Sequence, residues 1–275
     1  MKKQNVPSSD KGLTPPLKWA GGKRWQVPYL RPIWAKNSNT GNNTRRLVEP
    51  FGGGLAITLG LLPRGALLND INPHLMNFYR WVKETGLTAT ILRSNNEQVY
   101  YEHRDAFNDL ICNNKWNTPL AAELFYFLNR TGYNGLCRFN RSGRFNVPFG
   151  RYKTISYATD FKAYQAIFAQ WDFQCVDFQA LPVQPSDFIY ADPPYDVEFT
   201  AYSQGGFSWD DQVRTAEWLA QHKGPVILVN QATSRIRKLY RKLGYTLRFL
   251  DAPRRISSSG DRTPAKELLA TRNVV

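Results

Sequence analysis

Two stretches of alternating strand and helix patterns predict an α/β core, and the first lies near the start of the chain. Residues 45–49 (RRLVE) predict a short strand that runs into a glycine-rich turn, PFGGGLA, and residues 66–70 (ALLND) predict a second strand. A helix is predicted next, because Asn72 suits the N-cap, Pro73 the first helical position and Gly86 the end. A strand, a glycine turn, a helix and a strand are typical of a doubly wound sheet.

The second stretch resumes this alternation near the end of the chain. Strands are predicted over 187–192 (DFIYAD), 225–230 (PVILVN) and 246–251 (TLRFLD). Helices are predicted between them, over 210–222 behind a Ser208–Asp211 capping box and over 234–244.

The middle of the chain has a different pattern. From about residue 88 to 160 the sequence predicts helical pieces, one of them capped by Thr118, and then a loop-rich tract of Gly, Asn and Arg. The simplest organisation is an α/β core interrupted by an inserted domain. The predicted boundaries are 1–75 and 161–275 for the two parts of the core and 76–160 for the insertion.

The net charge and the distribution of cysteines, histidines and apolar residues limit the classes of partner and of site that the chain can have. A formal net charge of +14 and a sequence pI of about 9.8 indicate a polyanionic partner, nucleic acid or an anionic membrane surface, although a merely basic protein stays open. Three cysteines and three histidines are scattered without metal-ligand spacing, so we expect no metal and a reducing compartment. No apolar run reaches the ~18–20 residues that span a bilayer, and residues 1–12 are polar, which predicts a cytoplasmic protein.

Two glycine-rich segments suggest a cofactor that contains a nucleoside. Gly52 to Gly54 would let a ligand approach the backbone, and Asp70, at the end of the next predicted strand, would accept a ribose hydroxyl. The upstream segment LKWAGGKRW could present Trp19 and Lys23 to one small space, but from composition alone a basic surface turn is favoured.

The strand 187–192 ends in Asp192-Pro193-Pro194-Tyr195. Because both prolines fix φ, the Asp192 carboxylate and the Pro193 carbonyl form a rigid pair of acceptors, and Tyr195 offers an aromatic face. A planar heterocycle with an exocyclic amine fits all three groups. When both N–H hydrogens are accepted, the nitrogen can attack a sulfonium methyl without a metal or a strong base. The alternative is a proline-terminated strand with a structural aspartate.

Residues 124–159 contain no Asp or Glu and combine basic, aromatic and amide side chains. The basic residues of this acid-free tract are Arg130, Arg138, Arg141, Arg144, Arg151 and Lys153. Arginine bonds guanine edges or phosphates, amides bond adenine edges, and aromatic or leucine side chains wedge between bases. The tract therefore predicts a DNA-binding surface, with a solvated basic face as the alternative.

Four motifs follow one another along the chain: WAGGK, the glycine turn, the tract LNRTGYNGLCRFNRSGRFNVPFGRYK, and DPPY. In sequence and in order, these motifs resemble those of the Dam-like DNA adenine-N6 methyltransferases. This family is the D12 class of the group α amino-methyltransferases, and the resemblance covers about residues 17–273. It implies a Rossmann-like S-adenosylmethionine-dependent methyltransferase sheet with an inserted, mainly helical DNA-recognition domain. It also implies a site-specific enzyme that methylates a flipped adenine in duplex DNA.

The resemblance implies roles for individual residues. Asp192, Pro193, Pro194 and Tyr195 would be catalytic, and a motif with Tyr101 would lie near the methionine end of the cofactor. Cofactor contacts would come from Trp19, Ala20, Gly21, Gly22, Lys23, Glu49, Pro50, Phe51, Gly52, Gly53, Asp70, Ile71, Asn72, Arg104, Asn108 and Asp192. DNA contacts would come from Arg130, Tyr133, Asn134, Leu136, Arg138, Asn140, Arg144, Asn146, Pro148, Arg151, Tyr152 and Lys153.

Within the DNA set, the resemblance gives Arg138 a guanine to read and places Tyr133 and Leu136 near the target step. Arg255 and Ser258 would also approach the DNA. The implied partners are double-stranded DNA with a short adenine-bearing site and, in a restriction–modification pair, a cognate restriction endonuclease. We expect a monomer or weak dimer that acts on nucleoid DNA in the cytoplasm.

The chain departs from the family pattern at one place. Many Dam-like enzymes have F-x-G-x-G-S after the first strand, whereas residues 51–56 are FGGGLA, so the second glycine position is shifted. Two rivals stay open: a different methyl acceptor, RNA adenine or the N4 amine of cytosine, and a DNA-binding regulator with a decayed enzyme core.

Overall fold

The structure is a computed structural model that describes residues 13–40, 43–87, 90–196, 206–252 and 265–275. The chain divides into two compact units. The described residues among 28–52, 63–71 and 171–275 are called the sheet unit, and those among 1–27, 53–62 and 72–170 the helical unit. The predicted domain boundaries at residues 75 and 160 stay a prediction.

The elements follow one another along the chain as a mixed α/β series. In order they are α1 (Val27–Asn37), β1 (Asn39–Thr40), β2 (Asn43–Thr44), β3 (Leu47–Glu49), α2 (Thr58–Leu61), β4 (Ala66–Asn69), α3 (Pro73–Thr85), α4 (Glu97–Cys112), α5 (Pro119–Thr131), α6 (Lys162–Phe168), β5 (Trp171–Gln174), β6 (Phe188–Ala191), α7 (Trp209–Ala220), β7 (Val226–Gln231), α8 (Ser234–Lys242), β8 (Thr246–Ala252) and β9 (Ala265–Arg272). Short 3₁₀ turns occur at Arg24–Gln26, Tyr133–Gly135 and Phe178–Ala180.

A seven-stranded sheet in the order β5-β4-β3-β6-β7-β9-β8 forms the sheet unit. The strands from β5 to β7 pair in parallel, and β9 is antiparallel to both β7 and β8. Val48 of β3 is level with Leu67 on one side and Ile189 on the other. The chain therefore moves outward from β3 to β5 and then returns to β6, and this reversal next to β3 is where open α/β sheets bind ligands. The predicted α/β class is confirmed.

Apolar side chains of the central strands and the last two helices form the core of the sheet unit. Val48, Ile189 and Leu228 from adjacent strands are buried in one cluster with Leu219 of α7 and Ile236 of α8. The strands β3, β4 and β6 are buried at every residue, which is typical of parallel strands covered on both faces. The predicted capping box of α7 is confirmed, because the Ser208 hydroxyl and the Asp211 carboxylate accept from each other's backbone N–H.

The helical unit contains helices whose ends follow their sequence signals. The Asn72 side chain accepts from the backbone N–H of His74 and Leu75, and α3 ends at Gly86 with φ 70°. Thr118 caps α5 in the same way. These predicted helix ends are confirmed. No helix in the part of the chain that the structure describes is long and apolar enough to cross a membrane.

His74 is buried among aromatic rings in the helical unit. Its ring stacks on Phe139 with centroids 4.9 Å apart, and it meets Phe107 and Trp116 edge to face. Because burial penalises the charged imidazolium, the pKa of His74 falls to about 4. The neutral ring is therefore part of the packing.

We predict that this burial makes stability depend on pH. Between pH 6.5 and 4 the unfolded His74 binds a proton that the folded ring does not, so stability falls as the pH falls through this window. The free energy of unfolding of the wild type should drop by about 2 kcal/mol more between pH 7 and pH 5 than that of His74→Gln. Urea unfolding at both pH values measures the difference, and equal drops in both proteins would contradict the prediction.

Candidate active site

Three predicted site segments follow three neighbouring strands of the sheet unit. Glu49 ends β3 and leads into Pro50 and Phe51, Asp70 follows β4, and Asp192 follows β6. Because β4, β3 and β6 are adjacent and parallel, the structure places their carboxyl ends side by side. The predicted carboxylates are thus collected at the point where the strand order reverses.

Asn69 shapes this edge of the sheet, and the sequence analysis missed it. Its Nδ2 donates to the carbonyl of Pro50 (2.9 Å) and to that of Val176 (3.0 Å), while its Oδ1 accepts from the Val176 N–H (3.0 Å). The Gly52 N–H donates to the Asn69 carbonyl at 2.6 Å. Asn69 is 2% exposed, so one buried residue joins the turns that follow β3 and β5.

Aromatic rings and carboxylates surround this edge. Burial raises the pKa of Tyr195 strongly, and the negative charge of Asp192 raises it further. The pKa of Tyr190 is raised by burial and then by the same carboxylate, with smaller effects of Glu49 and Glu267. Tyr195 therefore stays protonated. Glu267 of β9 is a member of this group that the sequence analysis did not single out.

Phe51 and Ile71 differ in their surroundings. The Phe51 ring packs against Phe178 with centroids 5.4 Å apart and meets Phe207 edge to face at 5.6 Å. Ile71 is 72% exposed, and its carbonyl accepts from the Cys175 thiol. Phe51 is thus fixed by its neighbours, while Ile71 presents an apolar side chain to solvent.

In the helical unit, the WAGGK loop packs on the glycine turn. A Cβ on Gly53 would lie 2.7 Å from Trp19 Nε1, and one on Gly54 would lie 2.9 Å from Trp19 Cβ. Ala20, Gly21 and Gly22 are exposed, whereas Lys23 is 5% exposed and its Nζ donates to the Gly21 carbonyl. The structure therefore brings these two predicted segments together, and the loop is more than an exposed basic turn.

The departure from the family pattern has a structural counterpart. Gly53 has φ +47°, and its carbonyl accepts from the Tyr79 hydroxyl at 2.7 Å. Leu55 stands where the family has its second glycine and has φ +56°, a left-handed conformation that glycine adopts more readily. Leu55 is fully buried, so packing holds this residue in a costly backbone conformation.

Asn72, Arg104 and Asn108, predicted to contact the cofactor, bond within the helical unit. Asn72 caps α3 and donates to Cys137 Sγ. The Arg104 guanidinium lies over the Tyr101 ring, 4.5 Å from its centroid. Asn108 is 4% exposed and bonds both backbone groups of Phe145, so it supports the acid-free tract. The cofactor roles of these residues stay predictions.

The acid-free tract folds back on itself as an irregular hairpin. Gly132 bridges Phe149, and Phe139 bridges Phe145, both in antiparallel fashion. At the tip, the Asn140 side chain accepts from the N–H groups of Ser142 and Arg144. The hairpin thus presents its tip on an amide-capped turn.

The predicted DNA-binding residues divide by exposure. The exposed ones are Tyr133, Asn134, Arg138, Asn140, Pro148, Arg151 and Lys153. Partly buried ones are Arg130, Leu136, Arg144, Asn146 and Tyr152. Arg255 and Ser258 lie outside the described residues, as does the polar segment 1–12.

Several of these side chains bond within the unit. Arg138 donates to the side chain and the carbonyl of Asn146, at 2.8 and 3.0 Å. Arg151 forms an ion pair with Glu97 at 3.0 Å, and Arg130 donates to the Ser156 carbonyl. The side chains of Arg130, Arg138 and Arg151 are therefore held by bonds within the helical unit.

Asn129 links this tract to the WAGGK segment, a contact that the sequence analysis missed. Its amide accepts from the Lys18 N–H (2.8 Å) and donates to the Lys18 carbonyl (2.7 Å). The Lys18 ammonium donates to the Arg130 carbonyl and lies 3.6 Å from the centre of the Tyr152 ring. Burial, with a smaller effect of the Arg130 charge, lowers the pKa of Lys18 to about 8.

The described residues contain no group of three or more His, Cys, Asp or Glu side chains that could hold a metal ion. Cys112, Cys137 and Cys175 are free thiols.

We predict that Gly53→Ala disturbs the packing of the WAGGK loop. The new Cβ would lie 2.7 Å from the Trp19 ring at a positive φ, which should cost about 2–3 kcal/mol of the free energy of unfolding. Gly65→Ala is the control, because a Cβ there meets nothing within 4 Å, and it should change stability by less than about 0.5 kcal/mol. Urea unfolding measures both variants. If Gly53→Ala were as stable as Gly65→Ala, the packing of Trp19 would not require the space next to Gly53.

Comparison with known proteins identifies the family of the chain. The family model of the D12 class N6 adenine-specific DNA methyltransferases matches residues 19–251. The retron Ec67 DNA adenine methylase of Escherichia coli is 35% identical over 268 residues, which cover 92% of this chain and 90% of the relative. The DNA adenine methylase of Vibrio cholerae serotype O1 is 35% identical, covering 92% of this chain and 94% of the relative.

A third relative is a type II methyltransferase. The type II methyltransferase M.MjaIII of Methanocaldococcus jannaschii is 32% identical over 279 residues, covering 91% of this chain and 95% of the relative. With the family model matched over most of the chain, the chain belongs to the D12 class of N6 adenine-specific DNA methyltransferases.

Proposed function

We propose that this D12 class methyltransferase transfers a methyl group from S-adenosylmethionine to N6 of an adenine flipped out of duplex DNA. The observation that carries the proposal is the position of Asp192-Pro193-Pro194-Tyr195, which leaves the carboxyl end of β6 beside β3. This is the place where an open α/β sheet presents functional residues to a ligand.

The DPPY residues would activate the amine by accepting its hydrogens. The exocyclic nitrogen of adenine is a weak nucleophile, because its lone pair is delocalised into the ring. Asp192 and the Pro193 carbonyl would hold the two N–H groups and draw electron density onto the nitrogen. As the new N–C bond forms, the nitrogen becomes positive and must lose one proton, for which Asp192 is the acceptor in the DPPY sequence. The Tyr195 ring, which stays protonated, would stack on the adenine.

The chemistry of the donor set fits S-adenosylmethionine. When bound, this cofactor supplies an electrophilic methyl group on a sulfonium cation and leaves as S-adenosylhomocysteine. Asp70, which follows β4, would bond a ribose hydroxyl, and the carboxylates of Glu49 and Asp192 at the ends of the neighbouring strands would favour the positive charge. Phe51 would supply an apolar face, and Gly52 would let the backbone approach.

The other predicted cofactor contacts enter this proposal on the strength of the family resemblance. They are Trp19, Ala20, Gly21, Gly22, Lys23, Pro50, Gly53, Ile71, Asn72, Arg104 and Asn108. Trp19, Lys23 and Gly53 have the most specific surroundings, because the indole fills the space that a Cβ on Gly53 would need.

Duplex DNA would bind the hairpin of the acid-free tract. The tract has no acidic residue to repel phosphates, and Tyr133 at 50% exposure is available to wedge beside the target step. Arg138 would read a guanine, since a guanidinium can bond two acceptors of that base at once. The described contact with Asn146 would hold Arg138 ready for this task.

The proposal also includes a protein partner, a cellular location and an oligomeric state. Because one relative is named a type II methyltransferase, a cognate restriction endonuclease is a candidate partner. We expect the enzyme to act on nucleoid DNA in the cytoplasm as a monomer or weak dimer, which light scattering with and without DNA would measure.

We predict that Asp192→Asn greatly slows methyl transfer without abolishing DNA binding. Loss of the charged acceptor should lower the single-turnover rate about 10³-fold, whereas the Kd for DNA, which depends mainly on phosphates, should stay within about tenfold. Asp251→Asn, an exposed aspartate on β8, is the control and should keep the wild-type rate. A labelled methyl group followed into duplex DNA, with sequencing of modified adenines, measures both.

The same assay decides between the rival functions. Transfer of the labelled methyl group to RNA or to N4 of cytosine would show that the methyl acceptor is not adenine in DNA. DNA binding by a wild type that binds no S-adenosylmethionine in calorimetry would make the chain a binding protein. Near-normal turnover of Asp192→Asn would remove the proposed role of the carboxylate.

We predict that Arg138→Ala relaxes sequence preference at one base position. Loss of a bidentate contact to guanine should cost ~1–3 kcal/mol of discrimination at that position and leave the others unchanged. Arg80→Ala, an exposed arginine of α3, is the matched control and should keep the site preference. Methylation of a library of randomised sites measures the preference, and an unchanged profile for Arg138→Ala would assign the reading to other residues.

A further inference from the structure

The two peptide groups that flank Tyr195 are both bonded by buried side chains of the sheet unit. Gln212 of α7 donates from Nε2 to the Pro194 carbonyl at 2.7 Å, on the N-terminal side of Tyr195. On its C-terminal side, the Asp196 N–H donates to Asn230 Oδ1 of β7 at 3.2 Å. The two amides also bond each other, because Asn230 Nδ2 donates to Gln212 Oε1 at 2.8 Å.

Asn230 is saturated with hydrogen bonds. Its Nδ2 donates to Gln212 and to the Tyr240 hydroxyl, and its Oδ1 accepts from the N–H groups of Asp196 and Gln231. A side-chain amide has two donor hydrogens and two acceptor lone pairs, so this amide has one orientation that satisfies all its partners. Gln212 and Asn230 are 2% and 0% exposed, which strengthens these bonds and makes any loss costly.

An ion pair holds the residue that follows Tyr195. The Asp196 carboxylate, 5% exposed, accepts from the Thr233 hydroxyl at 2.9 Å and from Arg235 Nε at 2.7 Å. A second N–H of the Arg235 guanidinium bonds the other carboxylate oxygen, so the pair is bidentate. The same guanidinium lies 4.6 Å from the centre of the Trp209 ring. Asp196 therefore fixes the C-terminal end of the DPPY segment to the start of α8.

The prolines explain why such outside support is needed. Neither Pro193 nor Pro194 has an N–H group, so the segment cannot be tied down by backbone donors at these two positions. Bonds to its carbonyls and to the backbone N–H groups that follow the prolines can supply this support. Gln212 and Asn230 make one bond of each kind.

We propose that Gln212 and Asn230 are positioning residues for methyl transfer. Through the peptide groups on either side, they set the direction of the Tyr195 ring on which the target adenine stacks. This inference rests on the proposed function, in which Tyr195 stacks on the flipped base. Neither side chain touches the reacting atoms; both act through the backbone of Tyr195.

The test uses Gln212→Met, which keeps the length and the apolar stem of the side chain but removes the donor to Pro194. Because a misplacement of about 1 Å at a reacting group costs on the order of a hundredfold, the single-turnover rate should fall tenfold to a hundredfold. The Kd for DNA should stay within about threefold, since phosphate contacts dominate it. Gln221→Met, at the exposed end of α7, is the matched control and should keep the wild-type rate.

A double-mutant cycle separates positioning from general support of the fold. If Gln212 acts through the Tyr195 ring, Gln212→Met should cost less than about threefold in a Tyr195→Ala background. The same full cost in both backgrounds would overturn the inference. If Gln212→Met proves unstable, Asn230→Asp, which keeps the acceptor for Asp196 but loses the donor to Gln212, replaces it in the cycle with the same expectations.

The outcomes distinguish this inference from the proposed function. An active wild type with an unaffected Gln212→Met variant refutes the inference alone. A wild type that transfers no methyl group to adenine in DNA refutes the proposed function and the inference with it.

Discussion

Parallel hydrogen bonding of β3 with both β4 and β6 is the constraint on which the sheet unit depends. From β3 the chain runs outward on one side to β4 and β5, and it returns on the other side of β3 at β6. The three carboxyl ends then lie side by side, and this pairing alone brings Glu49, Asp70 and Asp192 to one edge of the sheet. The order of the strands thus explains why the candidate active site is formed by the three segments that follow β3, β4 and β6.

Features with local physical causes could be predicted from the sequence. The ends of α3 follow from Asn72, Pro73 and Gly86, because each residue satisfies or terminates the helix through its own backbone preferences. The buried strands 66–70 and 187–192 follow from unbroken apolar runs, and the structure has β4 and β6 within one or two residues of them. The family resemblance was equally local, since it rested on contiguous motifs, and it identified the family correctly.

Features that arise from pairing between distant segments could not be predicted. The strand β9 enters the sheet between β7 and β8, and nothing in AKELLATR says that it pairs with residues about forty positions earlier. The roles of Asn69 and Asn230 could not be predicted either, because each depends on backbone groups that only the folded chain brings within hydrogen-bond distance. The left-handed Leu55 was also unexpected, since leucine adopts this conformation only where packing demands it.

Side-chain amides bond the loop backbone of the acid-free tract, whereas other loops in the described part of the chain also use carboxylates. In the sheet unit, Asp177 and Asp187 accept from backbone N–H groups two and three residues away. In the helical unit the comparable work in and around the acid-free tract is done by asparagine: Asn140 caps the hairpin tip, Asn108 pairs with Phe145, and Asn129 pairs with Lys18. An amide offers the same acceptor as a carboxylate, adds a donor and carries no charge. A surface that must attract phosphates can therefore be built as an ordered loop without any carboxylate that would repel them.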